Sequence, residues 1–149
     1  MLKRAMEAWR RFRRLSPDSR RLVLEAAGAL VATWVGLRVV GFRRWKSVLD
    51  WFTRRARLAD SSDAVAIARF QDAARRHLFL STNCLERSLV LCWLLERRGI
   101  DARLRIGARK QTGRFEAHAW VEVDGTVLND APKPDLQFTP FVHPIASTR

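Results

Sequence analysis

The strongest constraint on the fold is a change of periodicity between residues 83 and 130, from a helical pattern to alternating runs. Asn83, followed three positions later by Glu86, forms a capping box ahead of an apolar run with helical spacing. This pattern predicts a helix from Cys84 to Arg98, ended by Gly99 in the left-handed conformation. A helix followed by strands and short turns predicts an α+β fold, in which the helix packs on a small antiparallel sheet.

Two strands are predicted after this helix. The run from Ala102 to Arg109 alternates apolar residues with arginines, which indicates a half-buried strand. The run from Phe115 to Asp124 alternates in the same way. Its predicted core-facing residues are Phe115, Ala117, Ala119, Val121 and Val123, and the opposite face carries Glu116, His118, Trp120 and Glu122. His118 is therefore expected to project from the sheet beside a tryptophan, outside the main core.

The hairpin at Asp124–Gly125 allows two registers. A two-residue loop pairs Val123 with Thr126, and it sends Asp130 to the face away from His118. A three-residue loop, with Gly125 left-handed in a bulge, puts Asp130 directly opposite His118. Glycine is the residue that the third position of this loop requires, so we predict the three-residue loop.

The same stretch places a cysteine, a histidine and an aspartate in an order that fits nucleophilic catalysis. Cys84 lies at the first helical position, where free backbone amides and the helix dipole favour a thiolate and can hold an oxyanion. His118 is the candidate base, and Asp130 is the candidate residue that orients it. Asn83 and Trp120 are candidates for contacts with the oxyanion or the substrate, although capping is the simpler use of Asn83.

The remaining cysteine and histidines are given structural roles. Cys92 lies two turns deeper on an apolar stretch and is expected to be a small core residue. The two cysteines would be roughly 12 Å apart along one helix, too far for a disulfide. Reduced thiols indicate a cytoplasmic protein. Neither a zinc-finger spacing nor a cofactor motif occurs, and His77 and His143 are expected to be incidental.

The charge of the chain is concentrated in its N-terminal third. Residues 1–57 contain fifteen Lys and Arg against four Asp and Glu, whereas the remaining residues are nearly balanced. Such a basic region suits nucleic acid, anionic lipid or an acidic protein, or is a solvated helix surface. The aromatic residues follow core spacings, which disfavours nucleic acid. We divide the chain into an N-terminal helical region at 1–60, with a docking role, and a catalytic core at 61–149.

Four helices are predicted in and just after that region. They cover residues 1–14, 17–40, 43–57 and 64–77, with Ser16, Pro17 and Asp18 starting the second and Gly41 ending it. In the third, the predicted core-facing stripe is Trp45, Val48, Leu49, Phe52 and Ala56. The uncharged run from Ala26 to Leu37 has twelve residues, and a membrane span needs about twenty. A core or partner-facing helix is favoured over membrane contact.

Residues 83–130 closely resemble the transglutaminase-like cysteine peptidases of lasso peptide biosynthesis, in the stand-alone form of the C-terminal half of the B protein. The resemblance rests on Cys-Leu-x-Arg-Ser-Leu at the helix start, the Arg-Arg-Gly break, the Ile-Gly strand end and His-Ala-Trp-Val-Glu-Val. It implies a papain/transglutaminase-like core preceded by basic helices, and the roles of nucleophile, base and orienting residue for Cys84, His118 and Asp130.

The resemblance also implies a reaction and partners. The enzyme would remove the leader from a ribosomally made precursor peptide, without a cofactor, and an ATP-dependent lasso cyclase would then close the ring. A separate small protein would hold the leader. Two alternatives remain: a transglutaminase-type acyl transferase, whose chemistry is the same up to the thioester, and a basic binding module without a working site.

Overall fold

A computed structural model describes residues 10, 12–55, 63–78, 81–111, 114–130 and 138–140. Its helices and strands are α1 (Pro17–Val39), α2 (Phe42–Arg55), α3 (Ala64–His77), α4 (Cys84–Glu96), β1 (Arg103–Gln111), β2 (Arg114–Val123), β3 (Thr126–Val127) and β4 (Thr139–Pro140). The fold is α+β, as predicted. Only residues 10 and 12–14 of the predicted first helix are described, and they are helical. Four predicted features lie outside the described residues: the boundary at residue 60, the core position of Ala56, the anchoring of the C-terminal tail by Phe141, and His143.

The ends of α1 follow from its sequence. The Ser16 hydroxyl accepts a hydrogen bond from the Ser19 backbone N–H at 3.2 Å, and Pro17 occupies the first turn. At the other end, Gly41 adopts a left-handed φ of 78° and reverses the chain into α2. Both predicted ends are confirmed.

By length and composition α1 is able to cross a membrane, with a mean hydropathy of 1.6 over 18 residues, 33% of which are buried in the fold. Its inner face, however, belongs to the protein core. Leu22, Ala26 and Leu30 pack in the same cluster as the residues of α4. Glu25 pairs with Arg97 and Arg98 at 2.7 Å each. Such contacts are typical of a core helix.

The buried face of α2 differs from the predicted stripe. Trp45 and Leu49 pack inward as predicted, but Val48 and Phe52 are 37% and 49% exposed. Asp50 is buried instead, because Lys46 forms an ion pair with it at 2.9 Å. An acidic residue can take a core-side position when a cation on the same helix compensates its charge.

The four helices share one hydrophobic core with the sheet. The buried apolar residues of this core come from all four helices and from β1 and β2: Leu22, Ala26, Leu30, Leu49, Ile67, Ala68, Ala74, Leu89, Val90, Leu91, Cys92, Leu94, Leu95, Ala102, Leu104, Ala119 and Val121. α1 and α2 are thus integral to the fold. The functional division at residue 60 stays a prediction.

The sheet is antiparallel, with the strand order β3-β2-β1-β4. Leu104 pairs with Val121 and Ile106 with Ala119, and these residues form the face that packs on the helices. β1 and β2 begin and end within two residues of the predicted bounds, although Ile106–Gly107 lies inside β1 and not at its end. Phe115 was predicted to face the core, but as the second residue of β2 it is 77% exposed.

The predicted three-residue hairpin loop is wrong. Val123 pairs with Thr126 and Glu122 with Val127, so the loop has two residues. Asp124 and Gly125 both take positive φ values, of 48° and 75°, as a type I′ turn requires. An Asp-Gly pair suits this turn as well as it suits the bulged loop, and the I′ turn matches the natural twist of the strands.

Candidate active site

Cys84 is the first residue of α4, and its side chain is half-buried. The turn around it is fixed by the predicted capping box. Asn83 Oδ1 accepts the Glu86 backbone N–H at 2.8 Å, and the Asn83 N–H donates to Glu86 Oε2 at 2.9 Å. The first four amides of a helix have no partner within the helix. The box uses those of Asn83 and Glu86, and among the described residues no acceptor pairs with those of Cys84 and Leu85, which are therefore placed to bind an anion.

His118 and Asp130 form a direct hydrogen bond, between His118 Nε2 and Asp130 Oδ2. Each side chain is 25% exposed, so the pair is partly shielded and still reachable from solvent. A carboxylate on Nε2 fixes the ring orientation and leaves Nδ1 for another partner. This is the arrangement that a histidine base needs when a neighbouring acid orients it.

Two contacts fix the direction of α4 relative to β2. The Ser88 hydroxyl, one turn after Cys84, donates to the Ala119 carbonyl at 3.0 Å. Further along α4, the Cys92 thiol donates to the Ala102 carbonyl at 3.5 Å, just before β1. Because the first residues of β1 pair with Glu122, the later turns of α4 lie toward the end of β2. The first turn of α4 therefore lies toward the first half of β2, which carries His118.

Asn129 explains how Asp130 reaches His118 despite the two-residue loop. Leu128 N–H still donates to the Val121 carbonyl at 3.0 Å, which continues the ladder by one residue. The Asn129 side chain then accepts the Val121 N–H at 2.9 Å and donates to the Ser88 hydroxyl at 2.9 Å. The strand ends there, so its alternation no longer dictates the direction of Asp130. Sequence reasoning missed Asn129.

Phe138 was predicted from the sequence only to anchor the C-terminal tail to the body of the protein, and its contact with the candidate base was missed. Its ring stacks on the His118 ring, with centroids 5.0 Å apart and planes at 27°. The stack fits because the partner of His118 on β1 is Gly107. A Cβ at Gly107 would lie 3.0 Å from Phe138 Cβ and 3.0 Å from Trp120 Cη2. A glycine inside a predicted strand was the available signal, since it often marks a close approach.

Trp120 packs inside the protein, and the prediction that it contacts the substrate is wrong. Its side chain is fully buried, and the indole N–H donates to Glu122 Oε1 at 2.7 Å. The ring stacks on His118 with centroids 6.3 Å apart. His118 thus has Trp120 and Phe138 as aromatic neighbours. Asn83 has the capping role that was the preferred interpretation, and its contact with an oxyanion stays a prediction.

Cys92 differs from Cys84 in its electrostatic surroundings. It is buried, and it contacts the Glu96 carboxylate at 3.6 Å. Burial, together with the negative charge of Glu96, holds the pKa of the Cys92 thiol well above its ordinary value. The thiol form is therefore stable there, in agreement with the predicted core role.

Comparison with known proteins defines the class. Residues 27–143 match the model of the transglutaminase-like superfamily, and the chain belongs to that superfamily. A stretch of 51 residues is 51% identical to the microcin J25-processing protein McjB of Escherichia coli. That stretch is 34% of this chain and 24% of McjB, so the chain matches only about a quarter of its relative. No solved structure shows significant similarity.

Proposed function

We propose that this protein is a cysteine peptidase that removes the leader from a lasso-type precursor peptide. The observation that carries the proposal is the His118–Asp130 hydrogen bond in the first half of β2, toward which the first turn of α4 lies. Membership of the transglutaminase-like superfamily supports the thiol chemistry, and the similarity to a microcin-processing protein supports the substrate class.

The proposed reaction has two halves, formation of a thioester on Cys84 and its hydrolysis, and His118 transfers protons in both. His118 accepts the Cys84 proton, and the thiolate adds to the carbonyl carbon of the scissile bond. The amides of Cys84 and Leu85 stabilise the oxyanion. Collapse breaks the C–N bond, and the leaving amine of the core peptide takes the proton from His118. Water, deprotonated by His118, then hydrolyses the thioester, which releases the leader carboxylate and restores the thiol.

Asp130 acts through His118 in both halves. In the proposed mechanism it fixes the ring through Nε2, which leaves Nδ1 to take the proton of Cys84, and it stabilises the imidazolium after proton transfer. Since no step needs a redox change or a bound cation, the proposed reaction requires no cofactor. It does require a reduced thiol, which fits the cytoplasm.

The proposal includes a leader-binding partner that docks on α1 and α2. The outward sides of these helices expose apolar residues that the protein core does not cover: Leu24, Val31, Val35, Val39, Val48, Trp51 and Phe52. Exposed arginines such as Arg21, Arg43 and Arg44 accompany them. A small protein that carries the leader would cover this surface, and an ATP-dependent cyclase would receive the released core peptide.

Acyl transfer to an amine is the second candidate function, because superfamily membership fits it as well. Product mass separates the two. The experiment incubates the purified chain with a lasso precursor and a leader-binding protein, then records intact masses. Hydrolysis gives two peptides whose masses add up to the precursor plus one water. Acyl transfer gives an amide-linked adduct, and a non-catalytic binding module gives unchanged precursor.

A further inference from the structure

Glu86 is a buried carboxylate at the start of the nucleophile helix, with a relative exposure of 1%. Its Oε2 completes the capping box with Asn83. Its Oε1 accepts a hydrogen bond from Arg38 Nη1 at 2.7 Å, and Arg38 belongs to α1, 48 residues earlier. The capping box is therefore one part of a longer chain of contacts that begins in the N-terminal helices.

Arg38 is held in place for this contact. The same Nη1 donates to the Trp34 carbonyl at 2.7 Å, so both of its hydrogens are used. The guanidinium lies over the Trp34 ring, 4.1 Å from the centroid. Stacking and two hydrogen bonds limit the rotamers of an arginine that is 47% exposed.

The Arg38–Glu86 contact links α1 to the hydrogen bond that occupies the Asn83 amide at the start of α4. Glu86 keeps the Asn83 N–H occupied only while its side chain is held in place. A buried carboxylate that loses its cation is costly, so its side chain turns toward solvent and its other hydrogen bonds weaken. The turn that carries the Cys84 and Leu85 amides would then lose its fixed geometry.

We propose that Arg38 is a positioning residue for Cys84, acting through Glu86 and the capping box. This inference rests on the proposed function for its link to peptide cleavage, but its effect on the thiol is independent of any substrate. It gives α1 a role in the active site in addition to partner docking.

The test compares the rate at which iodoacetamide alkylates Cys84 at pH 7, followed by mass spectrometry of the folded full chain. We expect Arg38→Met and Glu86→Gln each to slow the reaction about tenfold. The double variant should be no slower than either single variant, because both changes break the same path. Arg38→Lys, which keeps the charge, should recover most of the rate.

The matched control is Arg97→Met, which breaks the ion pair with Glu25 near the other end of α4. It should lower the melting temperature at least as much as Arg38→Met and leave the alkylation rate within about twofold. An equal slowing in Arg97→Met would overturn the inference, because the effect would then be general destabilisation. Additive losses in the double variant, or a wild-type rate in Arg38→Met, would overturn it as well.

Cleavage kinetics separate this inference from the proposed function. Arg38→Met should lower kcat about tenfold with KM nearly unchanged, as for a residue that acts on the reacting geometry. If the wild type cleaves no precursor but the alkylation pattern holds, the proposed function fails and the positioning role stands. If cleavage is normal in all variants and alkylation is unaffected, the positioning role fails alone.

Discussion

The two cysteines of the chain lie eight positions apart on α4, yet the two ends of that helix provide opposite environments. At the first end, Cys84 is half-buried beside two free amides, and the His118–Asp130 pair lies toward it. At the other end, Cys92 is buried against the Glu96 carboxylate and donates to a backbone carbonyl.

Ion pairs connect α1 to both ends of α4, but the carboxylates in these pairs have different roles. Arg38 binds a carboxylate that belongs to the capping box. Arg97 and Arg98 bind Glu25, which is not part of any cap in the described residues. The position on the helix and the charges around it thus give two residues of the same type different electrostatic surroundings.

Replacing each cysteine by alanine is the most direct way to break this comparison. Cys84→Ala should abolish precursor cleavage, by at least about a thousandfold, because the nucleophile is removed. Cys92→Ala should keep the rate within about twofold, since its thiol contacts the Glu96 carboxylate and the Ala102 carbonyl and takes no part in the proposed reaction. Mass spectrometry of the precursor and products measures both. Equal losses would mean that Cys92 takes part in the chemistry.

Substitution of the carboxylates Asp130 and Glu96 gives the next largest expected difference in cleavage rate. Asp130→Asn should slow cleavage by about a hundredfold to ten-thousandfold, because the amide no longer favours the charged and correctly oriented ring. Glu96→Gln, the matched change beside Cys92, should leave cleavage unchanged. Circular dichroism of both variants checks that the fold is retained. A normal rate in Asp130→Asn would remove Asp130 from the proposed mechanism.

The aromatic cover of His118 should have a smaller effect. Phe138→Ala is expected to lower kcat about tenfold with little change in KM, because the ring of the base becomes free to tilt. Phe138→Leu should recover part of this loss. Phe115→Ala is the control, since that aromatic side chain lies on the same strand as His118 but is 77% exposed. A parallel rise in KM would indicate that Phe138 contacts the substrate.

The sequence predicted the helix end of the site better than the strand end. Local hydrogen bonds decide a capping box, so Asn83 and Glu86 alone were enough to place Cys84 at the first helical position. The bounds of α3 and the core position of Cys92 were predicted correctly for similar reasons. Each depends on residues close together in sequence.

The strand end depends on contacts between distant residues. Asp130 is directed by Asn129, whose side chain binds Ser88, 41 positions earlier. Trp120 is fully buried, and its ring and Phe138, from a segment without a clear period, both lie close to Gly107. The loop register was ambiguous because Asp124–Gly125 fits both turn types. None of these contacts leaves a periodic pattern in the sequence.

The smallest predicted effect concerns the pH dependence of the free energy of unfolding, and it depends on the Cys92 thiol alone. The pKa of Cys92 is raised in the folded state by burial and by Glu96, above the ordinary value of 9.0. The unfolded chain therefore releases this proton first as the pH rises, and the folded state binds more protons than the unfolded state. Stability from this group is complete below about pH 9 and is lost as the pH increases beyond it.

Urea unfolding of the wild type and of Cys92→Ala at pH 8 and pH 10 measures this effect. Lysines titrate near the upper pH in both proteins, so only the difference between them reports Cys92. The wild type should lose about 1 kcal/mol more than the variant over this interval, because one extra proton contributes at most about 1.4 kcal/mol per pH unit. Cys84→Ala should not flatten the dependence in this way. If it did, the buried and the reactive thiol would have been assigned to the wrong ends of α4.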